Sequence, residues 1–541
     1  MSGFAGTVNL DGAPIEQDLL WRDLPWVDGN VGFSQQPLTL DGSVWLIADA
    51  RIDGERQFSD EETILHAYQK WGEDCVDHLI GDFAFAVWDK RRERLFCARD
   101  HFGVKPFFFA RVANGFIFSS TLNVLRLDPR VSDALNETAI GDYLAFGLNQ
   151  DLASTTFRDI QRLPPGHKLS LSNGSLTTRR YWTPEVKNEI RFRDGQSYVD
   201  RFVELFSTAV SDRLRTNRVS ISMSGGLDST SIAVVARDLL QQTSGPSAVH
   251  GFSTVYDKLI PDEERHYSTL AASHISIPIH HLNADEYSLF EGSLDLPEPF
   301  LVSPLAGQFN ELLRLMANTS CVALTGYDGD ALMNERRSAY PLAGVRRFLT
   351  RIGGNESKAS LPEWIDESFA KRINLRDRWQ EFNCQSLFAK RPGTLRALQS
   401  KVWAPLFEGY DPGATRLNLE VRHPFIDIRL VDYLLSIPAK PWCTNKHILR
   451  CAMKHQLPDA VVNRPKTPLA GDPALQLSRH ASVRWLDNSE IAPQLTRFVN
   501  LSLRRSLKDE KSPDALWANL RMFALNHWLT HSLPLKRKMV A

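Results

Sequence analysis

The residue run with the clearest chemistry is Ser224-Gly225-Gly226-Leu227-Asp228-Ser229-Thr230, which directly follows the β-type run Val219–Met223. Two adjacent glycines let a backbone turn tightly and come close to a ligand. Backbone N–H groups in such a turn, and at the start of the helix after it, point toward one spot that suits a pyrophosphate group. Ser224, Ser229 and Thr230 can add hydroxyl donors. The run therefore predicts a nucleotide phosphate site.

A carboxylate in this loop predicts a metal ion. Asp228 would repel an unscreened phosphate, and that conflict disappears when Mg²⁺ lies between the two groups. A second carboxylate should help to hold the metal, and the acidic run Leu324-Thr325-Gly326-Tyr327-Asp328-Gly329-Asp330 ends another β-type run. Ligands of open α/β sheets bind beyond the carboxyl ends of the strands, so we expect the two loops to face one pocket.

The elements that must position these loops alternate between helix and strand. Tyr198 to Arg215 has apolar residues at helical spacing, and β-type runs follow at Val219–Met223, Ala248–Ser253 and Val322–Thr325. This alternation predicts a parallel α/β sheet. The last third of the chain is mostly helical in pattern.

The first 185 residues or so have a different pattern of hydrophobic and turn residues. Short β-type runs separated by turn residues predict antiparallel sheets, interrupted by one helix from Glu62 to Trp71. The β-type runs are Ser43–Ile47, Phe83–Trp88, Leu95–Ala98, Pro106–Ala110 and Gly115–Phe118. A polar segment, Lys187–Gly195, reads as a linker. We therefore predict one domain over residues 1–185 and a second over residues 195–541.

Composition narrows the functional classes. The chain has 541 residues, of which 43% are hydrophobic and 23% charged, as in an ordinary folded protein. Its formal net charge of −1 does not favour nucleic acid as a partner. The sequence shows neither an apolar run of about 18 residues, as a membrane span needs, nor a signal peptide. Six scattered cysteines without a C-x-x-C pair fit a reducing compartment, so we expect a cytoplasmic location.

With these motifs in view, the chain resembles the asparagine synthetase superfamily nearly end to end. The Ser224–Thr230 run resembles the pyrophosphate loop of N-type ATP pyrophosphatases, which cleave ATP to AMP and PPi, and it lacks the Gly-Lys-Ser/Thr ending of a Walker A loop. The other matching segments, in order, are Met1–Gly6, Gly81–Asp89, Ala98–Pro106, Pro261–Glu263, Glu420–Asp427 and Asn463–Lys466.

The resemblance implies a fold, cofactors and site residues. The fold would be an α+β Ntn-hydrolase-like (glutaminase-type) domain, followed by an α/β ATP-pyrophosphatase domain with a parallel sheet and a helical C-terminal part. ATP and Mg²⁺ would be the cofactors. Asp330 matches the family's magnesium aspartate, with Gly326 beside the phosphates. The adenine would lie near Ser253, and Lys466 would stabilise negative charge on the departing PPi.

The glutaminase-type domain differs from the family pattern at two places. Glutamine-dependent members begin Met-Cys-Gly, whereas this chain has Ser2, and a hydroxyl is a weaker nucleophile than a thiol unless a base activates it. The family's Asn-Gly-Glu segment, which grips glutamine, is replaced by Ala48-Asp49-Ala50-Arg51-Ile52-Asp53. We therefore expect an inactive glutaminase that serves as a structural domain or a docking surface.

An amide-forming centre without glutamine needs another source of amine. The β-lactam synthetases and the lasso peptide cyclases take it from the substrate molecule itself. Tyr327 stands where asparagine synthetases have Glu, and β-lactam synthetases also have Tyr there, paired with a downstream Glu. A phenol with a pKa near 10 is a poor base at neutral pH without assistance. Glu408 falls near the position of that assisting carboxylate, although a surface Glu is an equally good reading of it.

Three further segments look most like the lasso cyclase branch, namely Leu361–Ala370, Asn418–Tyr433 and Arg464–Asp472. The resulting hypothesis is an ATP-dependent ligase that adenylates a carboxylate and closes a macrolactam with the N-terminal amine of a precursor peptide. A leader peptidase or recognition protein would be its partner, as is usual for such cyclases. The alternatives are an asparagine synthetase using ammonia or glutamine, a β-lactam-type small-molecule synthetase, a tRNA-modifying pyrophosphatase, and a non-catalytic scaffold.

Overall fold

The structure is a computed structural model that describes residues 3–15, 24–54, 57–241, 248–292, 296–335, 361–384, 391–465, 469–480 and 483–534. In these ranges the N-terminal part forms two six-stranded antiparallel sheets, with strand orders β10-β8-β9-β1-β3-β2 and β12-β11-β7-β6-β5-β4. The strands are β1 Ala5–Asn9, β2 Trp26–Asp28, β3 Val31–Phe33, β4 Leu38–Thr39, β5 Val44–Ile52, β6 Gly81–Asp89, β7 Arg94–Arg99, β8 Phe108–Val112, β9 Gly115–Ser119, β10 Gln161–Arg162, β11 His167–Ser172 and β12 Ser175–Arg180.

The two sheets pack face to face, with helices on their outer faces. Aromatic residues of the inner faces, such as Phe33, Phe107 and Phe118, fill the space between the sheets, where burial removes large apolar areas from water. Helix α1 covers the outer face of the second sheet through Ile64 and Tyr68. The N-terminal helices are α1 Asp60–Trp71, α2 Leu122–Arg126 and α3 Glu137–Phe146. This four-layer arrangement is the expected α+β glutaminase-type architecture.

The second domain is built on a parallel sheet of order β15-β14-β13-β16-β17. Its strands are β13 Val219–Ser222, β14 Val249–Val255, β15 Ile279–Asn283, β16 Val322–Thr325 and β17 Glu420–Arg422. Its helices up to the end of this sheet are α4 Gly195–Leu214, α5 Leu227–Gln241, α6 Glu264–His274, α7 Ala306–Ala317, α8 Gly329–Met333, α9 Glu367–Arg372, α10 Leu375–Cys384, α11 Pro392–Leu398, α12 Trp403–Tyr410 and α13 Pro412–Thr415.

The remaining part after β17 is helical, as expected from the sequence. Its α-helices are α14 Ile428–Ser436, α15 His447–Met453, α16 Asp459–Val462, α17 Pro473–Leu477, α18 Arg484–Asp487 and α19 Pro513–His527, joined by short 3₁₀ turns. None of the helices in the described ranges is long and apolar enough to cross a membrane.

The predicted elements exist, with small differences at their ends. Strand β16 has the predicted bounds, and β5 and β8 extend up to five residues beyond theirs. The helix predicted over residues 62–71 starts two residues earlier, because Ser59 caps it and forms a capping box with Glu62. Short or polar strands such as β12 and β15 were not predicted, because they lack a hydrophobic pattern. Their ladder partners, rather than a hydrophobic alternation, hold them in place.

Buried ion pairs join the two domains. Residues 181–194, which include most of the predicted linker, contain no helix or strand. In addition to the covalent linker, buried charges lie at the contact. Arg51 of β5 pairs with Asp53 and with Asp82, and its distance to Asp82 is 2.7 Å. Arg213 of α4 lies 2.8 Å from Asp427 and 3.8 Å from Asp53. The segment that replaces the expected glutamine-gripping residues is thus part of the domain contact.

We predict that Asp427→Asn destabilises the whole chain. Burial opposes the charged form of Asp427, but Arg429 and Arg213 outweigh burial and lower the pKa of this carboxyl group. Removing one charge of such a pair costs about 3–5 kcal/mol, because its partner stays buried without compensation. Urea-induced unfolding at pH 7 measures this loss.

The pH dependence has a definite sign. Because the folded pKa lies below the unfolded value of about 3.9, the stabilisation is present above pH 4 and is lost as the pH falls through the folded pKa. The difference in unfolding free energy between wild type and Asp427→Asn should therefore shrink as the pH falls below about 4. The exposed pair of Asp74 with Lys168 supplies the control Asp74→Asn, which should change stability little. Equal losses for both variants would contradict the structural role of Asp427.

Candidate active site

A cavity of about 760 Å³ lies at the carboxyl ends of β13 and β16. The two strands are neighbours in the parallel sheet, with Ser222 opposite Thr325, so the loops that follow them leave the sheet side by side. The cavity is lined by Ser222, Ser224, Gly226, Leu227, Asp228, Ser229, Glu264, Thr325, Gly326, Tyr327, Asp330, Asn334, Asn445, Lys446, Arg450, Asn463, Arg464 and Pro465. Hydroxyl, carboxylate and cationic groups thus converge there, as a nucleotide site requires.

The Gly-Gly turn is shaped by close packing. A Cβ atom on Gly225 would lie 2.3 Å from the Cβ of Tyr267, so only glycine fits. The Gly225 N–H donates to Glu264 Oε2 at 2.6 Å, and the Gly226 N–H donates to Ser224 Oγ at 3.2 Å. Arg464 in turn lies 3.3 Å from Glu264. In this structure the two N–H donors of the turn are paired with side-chain oxygen atoms. A phosphate group offers the same type of acceptor.

Lys446 joins the two loops. Its Nζ lies 2.5 Å from Asp228 Oδ2 and 2.8 Å from Asp330 Oδ1. Burial disfavours the charged ammonium, but the carboxylates of Asp228 and Asp330 outweigh burial and raise the pKa of Lys446. The geometry shows that one cation can contact both carboxylates at once. The sequence predicted Mg²⁺ between Asp228 and Asp330, and that metal role stays a prediction.

The donor set fits Mg²⁺ bound together with a nucleotide. Asp328, which neighbours Asp330, is buried, and burial followed by the charge of Asp330 raises its pKa to about 8. Within the described residues, neither carboxyl oxygen of Asp328 has a hydrogen-bond partner. The same part of the chain contains no group of three or more His, Cys, Asp and Glu side chains that could hold a metal by themselves. Mg²⁺ typically takes one or two carboxylates plus substrate phosphates, which Asp228 and Asp330 can satisfy.

Tyr327 forms the wall between this cavity and a second one. Its ring is 37% exposed, and its hydroxyl lies 2.9 Å from the hydroxyl of Tyr410. Burial raises the pKa of Tyr410 well above its ordinary value. His423 lies beside both rings, with Nδ1 2.7 Å from Thr325 Oγ1. Tyr410 and His423 therefore fix the position of the Tyr327 side chain.

The second cavity has a volume of about 280 Å³ and a mostly apolar wall. It lies between α3, α7, α12 and α19, and Tyr327 is the residue that it shares with the first cavity. Leu148, Phe300, Phe309 and Trp517 are among its walls. A polar cavity for phosphates thus adjoins an apolar cavity, with one phenol between them.

Most predicted site residues meet in the first cavity. Those in its wall are Ser224, Gly226, Leu227, Asp228, Ser229, Gly326, Tyr327 and Asp330. Gly225 lies behind the turn. Thr230 donates its hydroxyl hydrogen bonds to backbone carbonyls of Gly226 and Leu227, so it does not supply the predicted donor. Ser253 is buried in β14 and, in the described ranges, is not part of the cavity wall, so the predicted adenine contact has no support there.

Glu408 does not take the predicted position. Its carboxylate is 4% exposed and lies 2.7 Å from Arg162 Nε and 3.2 Å from Arg99 Nη2. Among the described residues it contributes to neither cavity wall. Two guanidinium groups from the N-terminal domain hold it in a domain contact, and Tyr410 is the residue of the same helix that contacts Tyr327. Lys466 lies outside the described residues, so its predicted role stays a prediction.

The sequence did not single out several residues of the site. Two of them lie in or next to motifs that the sequence analysis did identify. Arg464 belongs to the Asn463–Lys466 motif, and Glu264 follows the Pro261–Glu263 motif. Tyr410 and Lys446 carried no signal, because a tyrosine in an apolar helix and a lysine before a helix are common. Their roles depend on contacts with Tyr327 and Asp228, which lie 83 and 218 positions away in the sequence.

Comparisons with known proteins agree with this architecture. Residues 39–182 match the glutamine amidotransferase domain, and residues 201–530 match the asparagine synthase family. Asparagine synthetase (glutamine-hydrolyzing) 3 of Bacillus subtilis is 29% identical over 447 residues, covering 76% of this chain and 70% of the relative. Asparagine synthetase (glutamine-hydrolyzing) 2 of the same organism is 25% identical over 566 residues, covering 86% and 71%.

Among solved structures, glutamine phosphoribosylpyrophosphate amidotransferase from B. subtilis aligns with a TM-score of 0.22 and 13% identity, covering 44% of this chain and 58% of that one. A score this low supports no conclusion. The family match covers more than half of the chain, and fold and site agree with it. The protein is thus an ATP-dependent amide-forming ligase, and it belongs to the asparagine synthase family, with a glutamine amidotransferase domain over residues 39–182.

We predict that Asp228→Ala slows the release of PPi from ATP by about a hundredfold or more, because the variant loses a carboxylate that would hold the metal beside the phosphates. The measurement is PPi release with substrate present, together with thermal unfolding to confirm that the variant is folded. Asp238→Ala on the same helix serves as the control, because Asp238 pairs with Arg237 at the surface. Retention of PPi release in Asp228→Ala would show that the metal assignment is wrong.

Proposed function

We propose that the protein adenylates a side-chain carboxylate of a precursor peptide and closes a macrolactam with the peptide's N-terminal amine. The observation that carries this proposal is the pair of adjoining cavities that share Tyr327. The polar cavity suits ATP, and the apolar one suits a substrate much larger and less polar than aspartate. Ring closure within one substrate also removes the need for an ammonia source.

The changed segment of the N-terminal domain supports an amine source other than glutamine. Lys105 lies 2.8 Å from Asp49 and 3.0 Å from Glu420, so the segment is tied to the second domain by a buried cation. Arg51 is likewise engaged by Asp53 and Asp82. Side chains held in this way serve domain contact, which agrees with an inactive glutaminase that acts as a structural domain.

The apolar cavity offers little to a free amino acid. Aspartate carries two carboxylates and an ammonium group, and each needs a charged or hydrogen-bonding partner when it leaves water. Arg521 lies in the wall, but its Nη1 donates to the backbone carbonyls of Leu144 and Ala145 at 3.1 and 2.5 Å. Apolar groups of a peptide need no such partners, so the wall favours a peptide substrate.

The proposed reaction begins at the polar cavity. The Gly226 N–H and the hydroxyls of Ser224 and Ser229, which line this cavity, bind the phosphates of ATP. Asp228 and Asp330 would hold Mg²⁺, which screens phosphate charge when bound. Lys446 adds a positive charge beside the same groups. The substrate carboxylate attacks the α-phosphorus, PPi leaves, and an acyl-adenylate forms.

The second step joins the two ends of the peptide. The neutral N-terminal amine attacks the acyl carbon, the bond from that carbon to the AMP oxygen breaks, and the Tyr327 hydroxyl relays the proton of the amine to water. Holding both ends in one site makes the step intramolecular, which can lower the barrier by about 7–11 kcal/mol. The hydrogen bond between the hydroxyls of Tyr327 and Tyr410 supports this role in proton relay.

Two small-molecule alternatives remain. The names of the relatives favour an asparagine synthetase, and Tyr327 resembles the tyrosine of the β-lactam synthetases. Both alternatives predict that ATP consumption needs no peptide. Asparagine formed from aspartate with ammonium or glutamine would identify the first, and ATP–PPi exchange driven by a β-amino acid would identify the second.

We expect the chain to convert a leader-free precursor peptide, with ATP and Mg²⁺, into a product that has lost one water, with AMP and PPi formed in equal amounts. Mass spectrometry of the peptide and nucleotide analysis measure this, and fragmentation locates the new amide bond. Peptides with an acetylated N-terminus are the control, since they can be adenylated but not closed. Asparagine production without any peptide-dependent turnover would overturn the proposal.

We also predict that Ser2→Cys does not create glutaminase activity, because the segment that would grip glutamine is engaged in ion pairs with Asp82 and Lys105. Glutamate release from glutamine is the measurement, with wild-type protein as the baseline. Glutamate formation by the variant at an enzymatic rate would show that the N-terminal domain still binds glutamine.

A further inference from the structure

We propose that the apolar cavity beside Tyr327 binds one aromatic side chain of the substrate peptide, from a residue adjacent to the acidic residue that is activated. This cavity would then determine which peptides are accepted. The identity of the substrate as a peptide rests on the proposed function, whereas the preference for an aromatic group rests on the cavity itself.

Most side chains in the wall of the cavity are apolar, and three of the polar ones already make hydrogen bonds within the protein. Gln308 exchanges hydrogen bonds with the hydroxyl of Tyr256, and Asn310 donates to the carbonyl of Gly292 at 2.9 Å. Arg521 is engaged by two backbone carbonyls. These hydrogen bonds leave the apolar side chains as the larger part of the surface that the wall offers to a ligand.

The size of the cavity suits a ring. A dry cavity of about 150 Å³ is large enough for benzene, and this one has about 280 Å³. Aromatic walls from Phe300, Phe309 and Trp517 can make tilted or stacked contacts with such a ring. An alanine or serine side chain would leave most of the volume empty and lose these contacts.

The position of the cavity fixes which residue enters it. Because Tyr327 is a wall of both cavities, a side chain in the apolar cavity and a carboxylate at the ATP phosphates are separated by one phenol ring. Neighbouring residues of an extended peptide point to opposite sides, with Cα atoms about 3.8 Å apart. The residue next to the activated Asp or Glu can therefore place its side chain on the far side of Tyr327.

The direct test uses N-acetyl-phenylalanine amide as a probe on the full chain, with binding followed by calorimetry. We expect this probe to bind about ten- to a hundredfold more tightly than N-acetyl-alanine amide, as burial of a large apolar side chain requires. Ala524→Phe fills the cavity from α19 and should abolish binding of the phenylalanine probe, while titration with a fluorescent ATP analogue shows unchanged affinity. Ala515→Phe, on the same helix and outside the cavity wall, should leave probe binding unchanged.

A second variant covers the case in which Ala524→Phe fails to fold. Leu520→Ala enlarges the cavity and should shift the preference from the phenylalanine probe to the corresponding naphthylalanine probe. Equal binding of the alanine and phenylalanine probes, or unchanged preferences in both cavity variants, would overturn the assignment of the cavity. Normal probe binding without any peptide cyclisation would instead leave the cavity in place and refute the proposed function.

Discussion

The contact of one ammonium group with two carboxylates organises this molecule. Asp228 and Asp330 lie at the ends of two adjacent parallel strands, and two negative charges so close together repel each other unless a cation lies between them. Lys446 provides that cation from the start of α15, far along the chain. The same two carboxylates are the predicted ligands of a metal ion that carries phosphates. The parallel register of β13 and β16, the Gly-Gly turn and the helical C-terminal part all serve to keep these three side chains together.

The N-terminal domain uses charge in a different way. Its buried residues Arg51, Lys105 and Arg162 each contact carboxylates, and for Lys105 and Arg162 those carboxylates include residues of the second domain. Forming a buried ion pair costs desolvation energy, so such a pair is weak evidence for added stability. Removing one partner strongly lowers the free energy of unfolding, so the pair does favour one fixed arrangement of the domains. These contacts hold the N-terminal domain and the second domain in one fixed arrangement.

The sequence predicted local features well and long-range ones poorly. The strand over Val322–Thr325 and the turn at Gly225–Gly226 follow from β-branched runs and adjacent glycines, which act locally. The assignment of Glu408 failed because Arg99 and Arg162, which hold its carboxylate, are 309 and 246 positions away in the sequence. Tyr410 sits two residues later on the same helix and faces the site instead. Spacing within a helix could not decide between the two, since only the packed domains show which face meets the cavity.

The pair of Tyr327 and Tyr410 connects the apolar cavity to the chemistry at the phosphates. Burial keeps the phenol of Tyr410 protonated, and its hydroxyl shares a hydrogen bond with that of Tyr327 in which either can be the donor. A donated hydrogen bond stabilises negative charge on the phenol that accepts it. Tyr327 is the more exposed of the two phenols, so in the proposed second step an incoming amine would meet it first and its hydroxyl would relay the proton of the amine to water. A wall residue that also serves the reacting amine would couple the fit of the substrate in the apolar cavity to the rate of ring closure.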